Sequence, residues 1–159
     1  MKEITLHTHV KIYKPDELDA DTRYLIEKAK QACMNAYAPY SEFCVGAAVR
    51  LANGNIYWGN NQENAAYPSG LCAERVALYY ANAQHPLVAV KELAIVAKNK
   101  DLFTPYPISP CGGCRQTLLE AEQRYQTDIR IILYGTELVY TLSNCKEMLP
   151  IHFGQEAFK

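Results

Sequence analysis

The chain has 159 residues, 49% of them hydrophobic, which predicts one domain spanning residues 1–159 with a sizeable core. A net charge of −1 without a basic run gives no electrostatic footprint for nucleic acid or a membrane surface, so long polymer substrates are disfavoured. No apolar run approaches the roughly 18 residues of a membrane span, and Met1 to Val10 holds no apolar signal segment, so neither is expected.

From the start of the chain, Ile4, Leu6, Thr8, Val10 and Ile12 alternate with Thr5, His7, His9 and Lys11, which predicts a strand within an N-terminal extension of residues 1–14. His7 and His9 would share one face of it, a pattern that fits exposed strand residues better than a second metal site. Pro15 and Asp16 open a helix whose apolar positions Leu18, Leu25, Ala29, Cys33 and Ala36 recur at helical spacing, and Pro39 stops it. Cys33 reads as a core residue. Phe43 to Leu51 and Ile56 to Gly59 flank Asn53 and Gly54, the strongest hairpin signal in the chain. A polar cluster, Asn60 to Tyr67, then runs into a helix predicted from Cys72 to about Gln84. Such residues form ordinary loops by satisfying their own backbone, but this loop's place before Cys72 makes it a candidate for substrate contact.

Glu92 to Lys98 predicts a buried strand, and Asn99 to Pro110 is a loop with three prolines. A helix to about Tyr125 follows, then strands Ile129 to Tyr134 and Leu138 to Leu142. A short helix is expected near Ser143 and Asn144, with residues from Leu149 to Phe158 as a tail. Strands alternating with helices predict an α/β fold: a three-layer α/β/α sandwich around a mixed, mostly five-stranded sheet. The antiparallel hairpin comes first and parallel pairing later, with an extra N-terminal strand.

The chemistry-bearing stretch is Cys72-Ala73-Glu74-Arg75, answered 39 residues after Cys72 by Cys111-Gly112-Gly113-Cys114-Arg115. Turn residues Pro68, Ser69 and Gly70 before Cys72, and the Pro-rich loop before Cys111, place all three cysteines in the first turns of helices. Unpaired N–H groups there carry partial positive charge that stabilises thiolates. Three converging cysteines, an open fourth position for water and a carboxylate to move protons are the parts of a hydrolytic zinc site. One Zn²⁺ per chain is expected. Three thiolates on it leave a net charge of about −1, which opposes ionising water. Arg75, three residues after Cys72 on the same helix face, is placed to donate to the sulfurs and offset that charge.

Six cysteines without secretory features fit a reducing cytoplasm, where thiols are more often ligands than disulfides. A redox pair at Cys111 and Cys114 leaves Cys72 and Glu74 unexplained. A non-catalytic structural zinc module needs a fourth ligand, recruited from Cys33, Cys44, Cys145 or a histidine, and leaves Glu74 without a role.

Five segments in one order, Tyr37 to Ala48, Asn61 to Pro68, Cys72 to Arg75, Ser109 to Gln116 and Leu149 to Gly154, resemble the cytidine deaminase family, specifically its small homotetrameric members with three cysteine ligands. The resemblance implies a zinc-dependent hydrolase that converts cytidine and 2′-deoxycytidine to uridine and 2′-deoxyuridine with release of ammonia, in pyrimidine salvage. It assigns Cys72, Cys111 and Cys114 to zinc and Glu74 to proton transfer. Asn61 and Glu63 match the family's ribose-binding pair, Phe43 an aromatic lining the pocket, and the Ala73 N–H a donor to the base carbonyl. Glu63, as an anion with no arginine or lysine between Leu51 and Leu71, favours a free nucleoside over a nucleotide. A zinc deaminase of a related aminonucleoside would keep the same catalytic residues. The chain departs from the family in residues 1–14, and in Tyr134 to Leu142, which carries no Phe where relatives supply an aromatic to a neighbouring subunit.

Overall fold

The computed structural model describes residues 1–158. Its strands are β1 (Lys11–Tyr13), β2 (Phe43–Leu51), β3 (Ile56–Asn60), β4 (Val90–Asn99), β5 (Leu102–Phe103), β6 (Arg130–Tyr134) and β7 (Val139–Leu142); its helices are α1 (Ala20–Cys33), α2 (Ala73–Gln84) and α3 (Gly112–Tyr125). One mixed sheet runs in the order β1-β7-β6-β4-β2-β3, with β5 folded back on β4. Five strands form its body, and β1 and β5 are short additions, as the expected five-stranded sheet with an extra N-terminal strand requires.

Side chains alternate across β2 and β4, so each strand feeds two cores. Ala47, Val49, Leu93 and Ile95 join Ala77, Leu78 and Ala81 of α2 and Leu118 and Leu119 of α3 on one face. Ala48, Ala94 and Val96 meet Leu25, Ile26, Ala29 and Cys33 of α1 on the other. Apolar residues covered on both faces explain why these strands read as continuous runs. The helices approach closely where the strands lack side chains. A Cβ at Gly46 would lie 2.0 Å from the Ala29 carbonyl oxygen, and one at Gly59 would lie 2.7 Å from the Ala77 nitrogen.

Strand direction decides where the two later helices begin. β3 and β4 are both antiparallel to β2, which lies between them, so they run the same way. α2 follows β3 and α3 follows β4, so both start at the same end of the sheet. α3 is also the crossover that parallel pairing of β4 with β6 demands. Pockets at the carboxyl ends of strands in open α/β sheets arise in this way.

Two expectations are adjusted at their edges. The predicted Ile4–Ile12 strand narrows to Lys11–Tyr13, because its partner β7 has four residues and the chain beyond it turns at Cys145–Met148. Residues 1–10 are exposed, tethered where Thr8 donates to the Glu147 carbonyl and the Glu147 carboxylate accepts from the His9 N–H. The helix opened by Pro15 is first a 3-10 turn, Pro15–Glu17. α1 then starts behind Asp19, whose carboxylate accepts from the Thr22 N–H at 2.7 Å. It ends at Cys33, three residues short of Ala36, because Tyr37 leaves the helical path to bridge Gln62.

Candidate metal centre and its cavity

Cys72 and Cys111 are the N-cap residues of α2 and α3, one position outside the first turns predicted for them, and Cys114 lies in the first turn of α3. Their extended backbones at the caps (φ −73° and −66°) turn both sulfurs toward the gap between the helices. The three Sγ atoms lie within 4.8 Å of one another, and those of Cys72 and Cys111 are 3.7 Å apart. Sulfurs around a tetrahedral zinc with Zn–S bonds of about 2.3 Å would sit ~3.8 Å apart, so the donor set fits this ion. Among the described residues no fourth His, Cys, Asp or Glu joins the group. That leaves an open coordination position and removes the ligand that a purely structural module needs.

The electrostatics concentrate negative charge on one sulfur. A hydrogen bond from Cys114, with further donors in Arg75 and Cys111, pulls the Cys72 thiol down to about 5. Cys114 is pushed up, first by its pairing with Cys72 and then by burial. One thiolate is therefore easy to form and a second is opposed until a cation arrives. Arg75 Nη2 sits 3.8 Å from Cys72 Sγ, on the face predicted for it, and its buried Nε makes no hydrogen bond within the protein. Arg115 holds the loop that carries Cys111: Nε donates to the Pro110 carbonyl and Nη1 to the Met148 carbonyl, both at 2.9 Å.

Glu74, on the first turn of α2, is 4% exposed, and burial raises its carboxyl above the usual carboxylate range. It lines a cavity of about 620 Å³ together with Cys72, Cys111, Ala73, Phe43, Asn61 and Glu63, so every site residue named from sequence except the deeply buried Cys114 borders one space. Cys114 joins it through the sulfur cluster. The Ala73 N–H belongs to the first turn of α2, where backbone donors lack helical partners.

The polar cluster is an extended segment pinned on both sides. Gln62 exchanges backbone hydrogen bonds with Leu71, next to Cys72, and bridges Tyr37 on its other edge. Asn61 and Glu63, alternate residues, therefore point to one side, toward residues 37–45. The Asn61 side chain accepts from the Val45 N–H at 2.8 Å and donates to the Phe43 carbonyl at 2.9 Å. The Glu63 carboxylate accepts from the Tyr40 N–H at 2.9 Å, the Ser41 N–H at 3.3 Å and the Ser41 hydroxyl at 2.5 Å. The hydroxyl bond, then the backbone donors, hold its carboxyl below the usual range. Ser41, and Tyr40 and Tyr67 whose rings pack edge-on at 6.3 Å by the cavity, were not singled out from sequence. Ser41 and Tyr40 lie inside the segment 37–48, but their tie to Glu63 spans 22–23 residues and has no local signal.

Residues 19–127 match the model of the cytidine and deoxycytidylate deaminase zinc-binding region. A cytidine deaminase of Halalkalibacterium halodurans is 43% identical over 138 residues, covering 86% of this chain and 96% of the relative. One from Sporosarcina psychrophila is 45% identical over 100 residues, 63% of this chain and 69% of that relative. The crystal structure of cytidine deaminase from Burkholderia pseudomallei superposes with a TM-score of 0.70 at 36% identity, covering 82% of this chain and 98% of that one.

Proposed function

Because the chain belongs to the cytidine deaminase family, we propose that it is a zinc-dependent hydrolase converting cytidine and 2′-deoxycytidine to uridine and 2′-deoxyuridine with release of ammonia. The observation that carries the reading is the three-sulfur cluster at two helix starts with a buried, non-ligating carboxyl, Glu74, in the same cavity. Cys72, Cys111 and Cys114 hold the ion, and when bound it supplies the Lewis acidity that makes water nucleophilic near neutral pH. Glu74 takes one proton as water adds at C4 and places it on N3, then takes the second proton from the new C4 hydroxyl and gives it to the departing amine as the C4 carbonyl forms and ammonia leaves. Its burial suits that task, since a carboxyl raised in pKa is a stronger base toward water than an ordinary carboxylate and can still hand the proton on. The Ala73 N–H orients the base through its carbonyl oxygen, Phe43 covers the base, and Asn61 and Glu63 receive the sugar hydroxyls. Arg75 neutralises part of the thiolate charge.

Free nucleosides are the substrates this pocket favours over 5′-monophosphates. Arg75 is the only cationic side chain lining the cavity among the described residues, and it faces Cys72. The anionic Glu63 has no cationic partner among those residues on the sugar side. Both cores share one sheet, which supports reading residues 1–159 as a single domain. Exposed Ile151, Phe153 and Phe158 in the tail support a homotetramer, and six free thiols support a cytoplasmic location. Among the described residues no helix is long and apolar enough to cross a membrane.

Purified, zinc-quantified protein should decrease the absorbance of cytidine as uridine forms, and should turn over the two nucleosides faster than their 5′-monophosphates or a cytosine-containing single strand. Equal or better rates on phosphorylated substrates would overturn the nucleoside assignment. A monomeric mass by light scattering would remove the tetramer and leave the chemistry standing.

A further inference from the structure

Glu63 has four acceptor positions on its two oxygens, and the protein fills three. Oε2 takes the Tyr40 and Ser41 N–H groups, while Oε1 takes the Ser41 hydroxyl. The hydroxyl is itself fixed in polarity, because Ser41 Oγ accepts from the Phe43 N–H at 3.1 Å and so must point its proton at Glu63. The turn that presents it is closed by the Glu42 N–H donating to the Ala38 carbonyl at 3.0 Å. It also holds Glu42 in the left-handed region at φ 56°, uncommon for a residue with a side chain. One hydroxyl thus links the carboxylate of the sugar side to the backbone of cavity-lining Phe43.

We propose that Ser41 is the positioning residue of the sugar site: its hydroxyl locks the Glu63 carboxylate so that the remaining acceptor position on Oε1 receives a ring hydroxyl of the nucleoside. This rests on the reading that Glu63 meets the sugar. Two backbone donors on Oε2 alone leave the other oxygen free to swing toward water, and a free carboxylate selects poorly between sugars with and without hydroxyls. The Ser41 bond removes that freedom before substrate arrives, so the preference for hydroxylated sugars depends on a residue that need not touch the base or the metal.

The test compares Ser41→Ala, Ser41→Cys, Ser41→Thr and Glu63→Gln on cytidine and on 2′,3′-dideoxycytidine, with zinc content and melting temperature measured for each variant. Ser41→Ala should raise the KM for cytidine about fivefold to tenfold, the worth of one lost hydrogen bond, with kcat within about twofold. The effect on dideoxycytidine should stay below about twofold, because that ligand has no ring hydroxyl for Glu63. Ser41→Thr keeps the hydroxyl and should restore the KM. Ser41→Cys, close in size and a weak donor, gives the same readout if the alanine variant folds poorly. Equal losses on both ligands, or no loss on cytidine, would overturn the proposal. If Glu63→Gln reduces the discrimination between sugars and the Ser41 variants do not, Ser41 loses its role and the sugar site stands. If Glu63→Gln leaves discrimination intact, the sugar assignment falls and takes this proposal with it.

Discussion

Two glutamates border the same cavity and are shifted in opposite directions. Glu74 is buried at a helix start and its carboxyl is raised by loss of water. Glu63 lies on an extended loop, is partly exposed, and is lowered by the Ser41 hydroxyl and two backbone N–H groups. The difference follows from what each carboxyl is given in place of water: its own N–H and the Cys114 thiol for Glu74, which burial outweighs, and three donors for the less buried Glu63. A group poorly compensated as an anion is fit to exchange a proton, whereas one held by donors is fit to remain an acceptor. The sequence Asn-x-Glu and the sequence Cys-x-Glu thus deliver the same side chain to two separate tasks.

The strongest way to break this contrast is to remove the acid from each carboxyl in turn. Glu74→Gln should lower turnover by about 10³-fold while zinc stays near one per chain, since an amide cannot shuttle protons. Loss of the metal along with Glu74 would make it a ligand and reverse its assignment. Glu63→Gln should act far more weakly, through KM, because the amide oxygen keeps one acceptor and loses only part of the site; a collapse of kcat comparable to that of Glu74→Gln would erase the distinction.

A third glutamate separates burial from catalysis. Glu122 on α3 is 4% exposed and its carboxyl is raised, chiefly by burial, yet it lies away from the cavity. One oxygen accepts from the Ile129 N–H at 2.9 Å and the Cys145 N–H at 2.7 Å, and the other finds no partner. Glu122→Ala should cost about 2–4 kcal/mol of stability, by orphaning two backbone donors, and should leave the activity of folded enzyme nearly intact. Glu122→Gln keeps both acceptor bonds. Because the folded pKa lies above the unfolded one, the wild type's contribution from this group is full below about pH 4 and declines as pH rises through the folded value. The melting temperature of Glu122→Gln relative to wild type should therefore climb from acidic to neutral pH; a constant difference would show that burial is not what shifts this carboxyl.

A smaller perturbation sharpens the metal side of the comparison. Arg75→Gln should weaken zinc binding by roughly 10- to 100-fold, measured by competition with a chromophoric chelator, because the positive charge beside Cys72 is lost. Unchanged affinity would mean that the helix N-termini suffice to hold the thiolates.

The metal corner was legible in the sequence because its signals are local. Turn residues precede Cys72 and Cys111, helical spacing follows them, and a helix start aims a cap residue in a predictable direction. The hairpin around Asn53 and the two-faced strands β2 and β4 were legible for the same reason. What escaped was set by partners distant along the chain. The length of β1 is dictated by β7, well over a hundred residues on, and the end of α1 by a bridge from Tyr37 to Gln62. Glu63 could be recognised as an acceptor, but not its engagement by Ser41, since nothing in either neighbourhood records which turn of chain lies opposite.

The two helix starts that hold the cysteines belong to segments 39 residues apart, so an ion shared between them acts as a removable staple on the folded chain. Each tenfold rise of free zinc above its dissociation constant should add about 1.4 kcal/mol to folding stability. Stability and metal supply are then one variable. A cell short of zinc would not merely hold idle enzyme; it would hold less of it, as the unstapled chain populates open forms and is cleared by proteases.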